Sequence, residues 1–236
     1  VLKILLKNEN ISIYEIKNIL GISLSPINTL EKNGIIKITT RKIKRDFINL
    51  DDYDKTNHLK LTIEQDNALN FIKQKIYEKT YKPILLHGVT GSGKTEVYLQ
   101  LINEVLKTGK QAIVLVPEIS LTPQTVERFI GRFGKKVSVT HSRLSDGERF
   151  EQWKKAKDNK IDIMVGARSA IFTPFENLGI IIIDEEHEST YKSESTPKYD
   201  IKEVAEKICN LTGATLVLGS ATPSIDTCLL YTSPSP

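Results

Sequence analysis

The sequence predicts an α/β fold, an open and mostly parallel sheet sandwiched between helices, with a small helical domain in front of it. Three observations predict it. Segments 111–116, 161–165, 180–183 and 215–218 are apolar with little polar alternation, the pattern of strands buried on both faces. Between them lie stretches with apolar residues at helical spacing, such as Ile201, Val204, Ala205, Ile208 and Leu211. Strands that alternate with helices build parallel sheets. The third observation is ILLHGVTGSGKT, residues 84–95, where an apolar run feeds a glycine-rich loop and then a helix.

Taken in order, residues 1–50 read as a compact winged-helix domain. Leu2, Leu5 and Leu6 suggest a first helix, and Ile13, Ile16, Ile19 and Leu20 a second that stops at Gly21. Ser25 as N-cap, with Pro26 at the first helical position, opens a third that ends at Asn33-Gly34. Ile36 and Ile38 then alternate with polar residues, and Lys37, Arg41, Lys42, Lys44 and Arg45 stand against a single acid, as expected for a basic two-stranded wing. Three short helices and a basic hairpin suit DNA, which makes Arg41, Lys42, Lys44 and Arg45 candidate DNA-binding residues. Such modules also dock proteins, and a charged hairpin can simply be solvated.

Residues 51–60, DDYDKTNHLK, are polar and aperiodic and read as a linker to a lobe spanning 61–227. Thr62 can cap a helix with Gln65 in its first turn and Leu69, Ile72 and Ile76 on one face. Beyond the glycine-rich loop, Val97, Tyr98, Leu101, Ile102, Val105 and Leu106 trace a helix that Gly109 can end. Thr122-Pro123 opens a helix through Phe133, residues 137–140 form a short strand, and Asp146 caps a helix reaching Lys157.

Bulk properties narrow the class. The 236 residues allow one large domain and a small one. A hydrophobic content of 39% with 26% charged residues is ordinary for a soluble chain, and no apolar run approaches a membrane span, so a cytosolic setting is expected. Cys209 and Cys228 form no C-x-x-C pair, so neither a disulfide framework nor a zinc site is suggested. The first residue is Val1, which fits a piece of a longer protein.

Gly88, Gly93, Lys94 and Thr95 occupy the fixed positions of G-x-x-x-x-G-K-[ST]. Glycines turn the backbone tightly and aim successive N–H groups at phosphate oxygens, and the following helix adds the positive end of its dipole. Lys94 is expected to reach the β and γ phosphates and Thr95 to offer its hydroxyl to Mg2+. The alternative, a turn with no ligand, leaves the lysine and hydroxyl without a purpose. IIIIDEEH, residues 180–187, is a buried strand whose acids emerge at the ligand edge of the sheet. Asp184 is placed to hold the metal and Glu185 to orient and deprotonate an attacking water. His187 could relay between loops or merely end the strand. GSATP, residues 219–223, emerges at the same edge, and the hydroxyls of Ser220 and Thr222 can bond a neighbouring acid or histidine. Together these features define a P-loop NTPase lobe of the RecA-like kind, with the SAT loop expected to couple nucleotide state to nucleic-acid grip.

LLHGVTGSGKTEVYLQ, VLVPEISLTPQ, HSRLSDGERFEQW, VGARSAIFTPFENLGIIIIDEEHESTYKSESTPKYDIKEVA and LGSATPS occur in this order. From 61 to 227 the chain therefore resembles the first motor lobe of the PriA-type replication-restart helicases of superfamily 2, the primosomal protein N′ family. The resemblance implies an ATP-dependent 3′-to-5′ DNA helicase acting in replication restart and primosome assembly at stalled forks, in the bacterial cytoplasm. It implies ATP and Mg2+ as cofactors. Forks, single-stranded DNA, primosome proteins and single-stranded-DNA-binding protein are the implied partners. Gln65 would contact adenine, where the residues alone suggest only an exposed helical glutamine. Gly91, Ser92 and Gly93 would join Lys94 and Thr95 at the triphosphate. Residues 190–200 resemble an aromatic-rich loop that couples DNA binding to hydrolysis, with Tyr191, Lys192, Pro197 and Tyr199 at matching positions. Aromatics beside cations suit unpaired bases, although Tyr191 and Tyr199 could instead be semi-buried packing. Arg168 and residues 117–120 would line the single-strand path, and Ala167 departs from the Thr or Ser expected there.

The family also carries a domain that recognises a DNA 3′ end and a second motor lobe with cysteine-bound zinc. Neither is present here, so zinc is expected only in that second lobe. Residues 228–236, CLLYTSPSP, match nothing expected after SATPS and read as foreign sequence. The chain is thus expected to be a truncated fragment, weakly active or inactive alone, because the arginines that complete such sites come from the second lobe. The competing reading is a winged-helix DNA-binding regulator whose nucleotide site is a switch without translocation.

Overall fold

The computed structural model describes residues 1–5, 11, 13–39, 54–78, 82–194 and 196–230. The chain divides into two compact units, Val1–Lys44 and Arg45–Pro236.

In the small unit, α1 (Leu2–Leu5), α2 (Ile13–Leu20) and α3 (Ser25–Lys32) follow the apolar spacing, and Ile16 and Ile27 are its buried residues. The start of α3 differs from expectation. Leu24 already has helical angles (φ −70°, ψ −22°), so Ser25 lies inside the helix and its carbonyl accepts from Thr29 Oγ1 instead of its hydroxyl capping the end. Pro26 keeps its place in the first turn, where a missing N–H costs nothing. Residues 35–39 form no strand, and Arg41, Lys42, Lys44 and Arg45 lie outside the described residues, as does most of the expected wing.

In the large unit the segment read as a linker is not loose. Residues 54–62 carry no regular structure, yet Thr56 N–H donates to the Gly131 carbonyl and Leu59 N–H to Glu96. Arg132 reaches Glu96 with two nitrogens at 3.1 and 2.9 Å and also bonds Thr56 and His58. Residues 54–60 are exposed, as their polarity signals, yet their polar groups also bond the lobe.

The rest is a parallel sheet with helical crossovers. Its strands are β1 (Ile84–His87), β2 (Gln111–Leu115), β3 (Val137–Thr140), β4 (Ile163–Gly166), β5 (Leu178–Ile183) and β6 (Thr215–Ser220), in the order β1-β6-β5-β2-β4-β3. Every pairing is parallel, with Ile84 opposite Val217 and Ile180 opposite Thr215. α4 (Ile63–Tyr77) precedes β1, the helices between strands are α5 (Lys94–Lys107), α6 (Pro123–Phe133), α7 (Asp146–Lys157) and α8 (Ile201–Thr212), and α9 (Ile225–Leu230) follows β6. Period-2 alternation explains the isoleucine run of β5. Ile180 and Ile182 pack with α4, α5 and α6 on one face, while Ile181 and Ile183 pack with α8 and the 3-10 turn Arg168–Phe172 on the other. Caps set the helix starts: Thr62 and Gln65 form a reciprocal capping box, and Thr122 caps α6. For α7 the cap is Ser145, boxed with Glu148, and not Asp146; S-x-x-E satisfies two orphan N–H groups where the aspartate alone satisfies fewer.

Candidate nucleotide-binding site

The loop between β1 and α5 is shaped by glycines with left-handed angles, φ +81° at Gly91 and +84° at Gly93. Gly93 is doubly constrained, since a Cβ there would run into Gln65 Nε2. Gln65 braces the loop: its Oε1 accepts from Thr62 N–H at 3.0 Å and its Nε2 donates to the Ser92 carbonyl at 2.7 Å. Reading an adenine edge would require exchanging those two bonds. Lys94 opens α5, folds back to donate to the Gly88 carbonyl at 2.8 Å, and lies 3.6 Å from Glu185 Oε1. Two loops far apart in sequence thus meet at one ammonium.

Asp184 follows β5. Its side chain accepts from the Tyr98 hydroxyl at 3.0 Å, and its carbonyl accepts from the Tyr191 hydroxyl at 2.7 Å. Burial pushes the Asp184 carboxyl above its usual range and the Glu185 charge adds to the push, while Tyr98 and Lys94 oppose it. Burial and the same carboxylate hold the Tyr98 hydroxyl well above its usual range, so it remains a donor. A desolvated carboxylate suits a hard divalent cation, and Thr95, in the first turn of α5, is half-buried. Among the described residues no group of three or more His, Cys, Asp or Glu could hold a metal alone. Mg2+ would therefore rest on Asp184, Thr95 and phosphate oxygens, which is its usual habit. Glu185 has φ +46°, a strained angle for a side-chain-bearing residue, and it turns the carboxylate toward Lys94. A cavity of about 820 Å³, lined by Gln65, Phe71, His87, Gly88, Lys94 and Pro223 among others, opens beside the loop and is large enough for a nucleotide.

Because β6 lies between β1 and β5, its loop sits between the phosphate loop and the acids. Gly88 N–H donates to the Ser220 carbonyl at 3.1 Å. His187 Nδ1 lies 2.8 Å from Ser220 Oγ and its Nε2 3.4 Å from Thr222 Oγ1, while Ala221 N–H approaches Glu185 at 3.5 Å. The candidate coupling residues are in mutual contact, and a Cβ at Gly219 would overlap the Tyr98 hydroxyl.

Sequence reasoning missed the residues beneath this site. Glu186 is 1% exposed and accepts from Lys202 Nζ, Thr227 Oγ1 and Ser224 N–H, each at 2.9 Å. Burial raises its carboxyl, but Lys202 and those hydrogen bonds outweigh the burial and hold it below its usual range. The only sequence signal was a third acid in a run of three. Tyr98, read merely as an apolar helix position, is the donor to Asp184.

The single-strand candidates divide. Arg168 donates to the Lys192 and Thr190 carbonyls at 2.6 and 3.3 Å and lies 5.6 Å from the Tyr199 ring. Arg168, Lys192 and Tyr199 share a cavity of about 610 Å³ at the strand ends with Pro117, Glu118 and Arg149. Tyr191 also lines that cavity, but its ring is almost wholly buried. It is 2% exposed, packed in the core beneath α8, with its hydroxyl committed to the backbone of Asp184. Its ring fills apolar space that the polar sequence around it does not advertise.

A phosphate cradle, an acid pair and a hydroxyl-bearing loop gathered at one edge of a parallel sheet define a P-loop NTPase motor lobe. The family model for DEAD/DEAH box helicases matches residues 64–229, and the chain belongs to that family. It is 53% identical over 204 residues to replication restart protein PriA of Bacillus subtilis (strain 168), covering 86% of this chain and 25% of that protein. It is 42% identical over 231 residues to replication restart protein PriA of Chlamydia pneumoniae, covering 96% of this chain and 30% of that one. The chain thus spans about a quarter to a third of the length of these relatives. Among solved structures, RecG bound to a three-way DNA junction superposes with a TM-score of 0.51 at 27% identity, covering 73% of this chain and 22% of that one. The Pyrococcus furiosus Hef helicase domain, at 20% identity, has a TM-score of 0.50 over 69% of this chain and 35% of that one, a likeness of fold. No helix among the described residues is long and apolar enough to cross a membrane.

Proposed function

We propose that the protein carrying this chain is an ATP-driven 3′-to-5′ DNA helicase acting in replication restart and primosome assembly at stalled forks in a bacterial cytoplasm. The observation that carries the hydrolytic part is the 3.6 Å approach of Lys94 to Glu185, which joins the phosphate loop to the acid loop. Likeness to the replication restart proteins supports the pathway; the polarity, the primosome proteins and single-stranded-DNA-binding protein are part of the proposal as the sequence resemblance implies them. The RecG likeness supports branched DNA as the substrate.

In this reading bound ATP supplies the phosphoryl group and Mg2+ neutralises its charge. Lys94 would exchange the Gly88 carbonyl for phosphate oxygens, and Thr95 and Asp184 would hold the metal. Glu185 orients a water and takes its proton. His187, between Ser220 and Thr222, registers the change at Glu185 and passes it to the β6 loop. Arg168, Lys192 and Tyr199 face single-stranded DNA, and Arg41, Lys42, Lys44 and Arg45 touch duplex phosphates.

The test is ATP hydrolysis by the complete gene product with and without single-stranded DNA. Strong stimulation is expected, and Lys94→Ala is expected to abolish turnover while DNA binding persists. Turnover indifferent to DNA would favour a nucleotide switch on a winged-helix regulator instead.

A further inference from the structure

The motif HSRLSDGERFEQW contributes nothing to the nucleotide site, yet it places exposed rings on α7. Phe150 is 59% and Trp153 40% exposed, with ring planes 16° apart and centroids 6.1 Å apart. The Lys157 ammonium lies 5.2 Å from the Trp153 ring. Across a groove of about 460 Å³ stands Phe172, 54% exposed, at the end of the 3-10 turn Arg168–Phe172. Three large aromatics left in water around one groove are costly unless something covers them.

The groove's continuity and charge indicate the occupant. Arg149 and Ser169 line both this groove and the cavity that holds Arg168, Lys192 and Tyr199. The two are bridged as well by aromatic contact, for Phe172 meets Tyr199 edge-on at 5.6 Å and Arg168 caps the same ring. One path therefore runs from the strand ends, past Arg149 and Arg168, to the rings of α7. Cations interleaved with exposed aromatics are the composition that binds unpaired bases: phosphates follow the cations and each base finds a π face.

Resting on the nucleic-acid reading of the strand-end cavity, we propose that single-stranded nucleic acid leaving that cavity continues into the groove between α7 and Phe172 and stacks bases on Phe150 and Trp153. Trp153 is the sole tryptophan, so its emission reports on this groove alone. The experiment titrates the 236-residue chain with oligothymidylate, following Trp153 emission and, in parallel, the anisotropy of a fluorescein-labelled oligothymidylate. Emission should fall at the same concentrations at which anisotropy rises. Phe150→Ala should weaken binding about tenfold, the loss of one stacked base, and Phe150→Tyr should restore it. An anisotropy rise with unchanged Trp153 emission and unaltered binding by Phe150→Ala overturns the proposal and leaves binding to the strand-end cavity or to the basic residues 41–45. No anisotropy change overturns both the proposal and the reading on which it rests.

Discussion

Replacing Glu186 with glutamine keeps its volume and removes its charge, and the structure sets the size of the effect. The carboxylate is buried and holds Ser224 N–H on one oxygen and both Lys202 and Thr227 on the other. Glutamine has one acceptor oxygen, so at least one donor then faces an NH2 group. Lys202 loses its carboxylate while only 22% of its side chain is exposed. Breaking a buried pair from one side costs about 3–5 kcal/mol, and partial access of water to Lys202 lowers that to about 2–4 kcal/mol. Urea unfolding of the wild type, Glu186→Gln, Lys202→Met and the double variant measures it. The double variant should lose less than the sum of the singles, with a coupling of about 1–3 kcal/mol. A pH series adds a sign. The folded carboxyl lies below its ordinary value of 4.5, so its contribution is fully present above that value and is lost as pH falls through the folded one. Glu186→Gln should flatten the acid limb. A loss under about 1 kcal/mol with additive singles would refute the reasoning, because it would mean that the network is not worth more than its hydration.

Two further substitutions probe the loops. Gly93→Ala must force a side chain into left-handed angles and push Gln65 off the Ser92 carbonyl, so a stability loss of about 1–2 kcal/mol with loss of nucleotide affinity is expected. Unfolding curves and titration with a fluorescent ATP analogue check it. Glu185→Gly should work the other way on the fold: relief of φ +46° outweighs the added chain entropy, giving a gain of about 0.5 kcal/mol while hydrolysis by the complete protein is lost. A destabilisation above about 1 kcal/mol would show that the Lys94 pair, not the backbone, dominates there.

Strand-scale features were legible because burial on two faces leaves an unmistakable apolar run, and the phosphate loop because its geometry demands glycines at fixed positions. What depends on meetings between distant segments was not. Nothing local distinguishes Glu186 from its neighbours, since its partner Lys202 lies on another helix. Tyr191 sits among polar residues whose backbone turns it inward. Residues 54–60 look like a tether because their polar groups bond Gly131, Glu96 and Arg132, which no window of sequence can show. Ser145 was passed over for Asp146 because an acid in a first helical turn is favourable in its own right, which masked the box one residue earlier.

The strand order carries a consequence for biosynthesis. β1, which launches the phosphate loop, is hydrogen-bonded to β6, the last of these six strands in chain order. Until Ser220 has emerged, the nascent chain holds its first strand without a neighbour and its cradle apart from the carboxylates. The meeting of Lys94 with Glu185 therefore waits on a strand made long after the phosphate loop, and the two halves of the candidate site come together only as the sheet is completed.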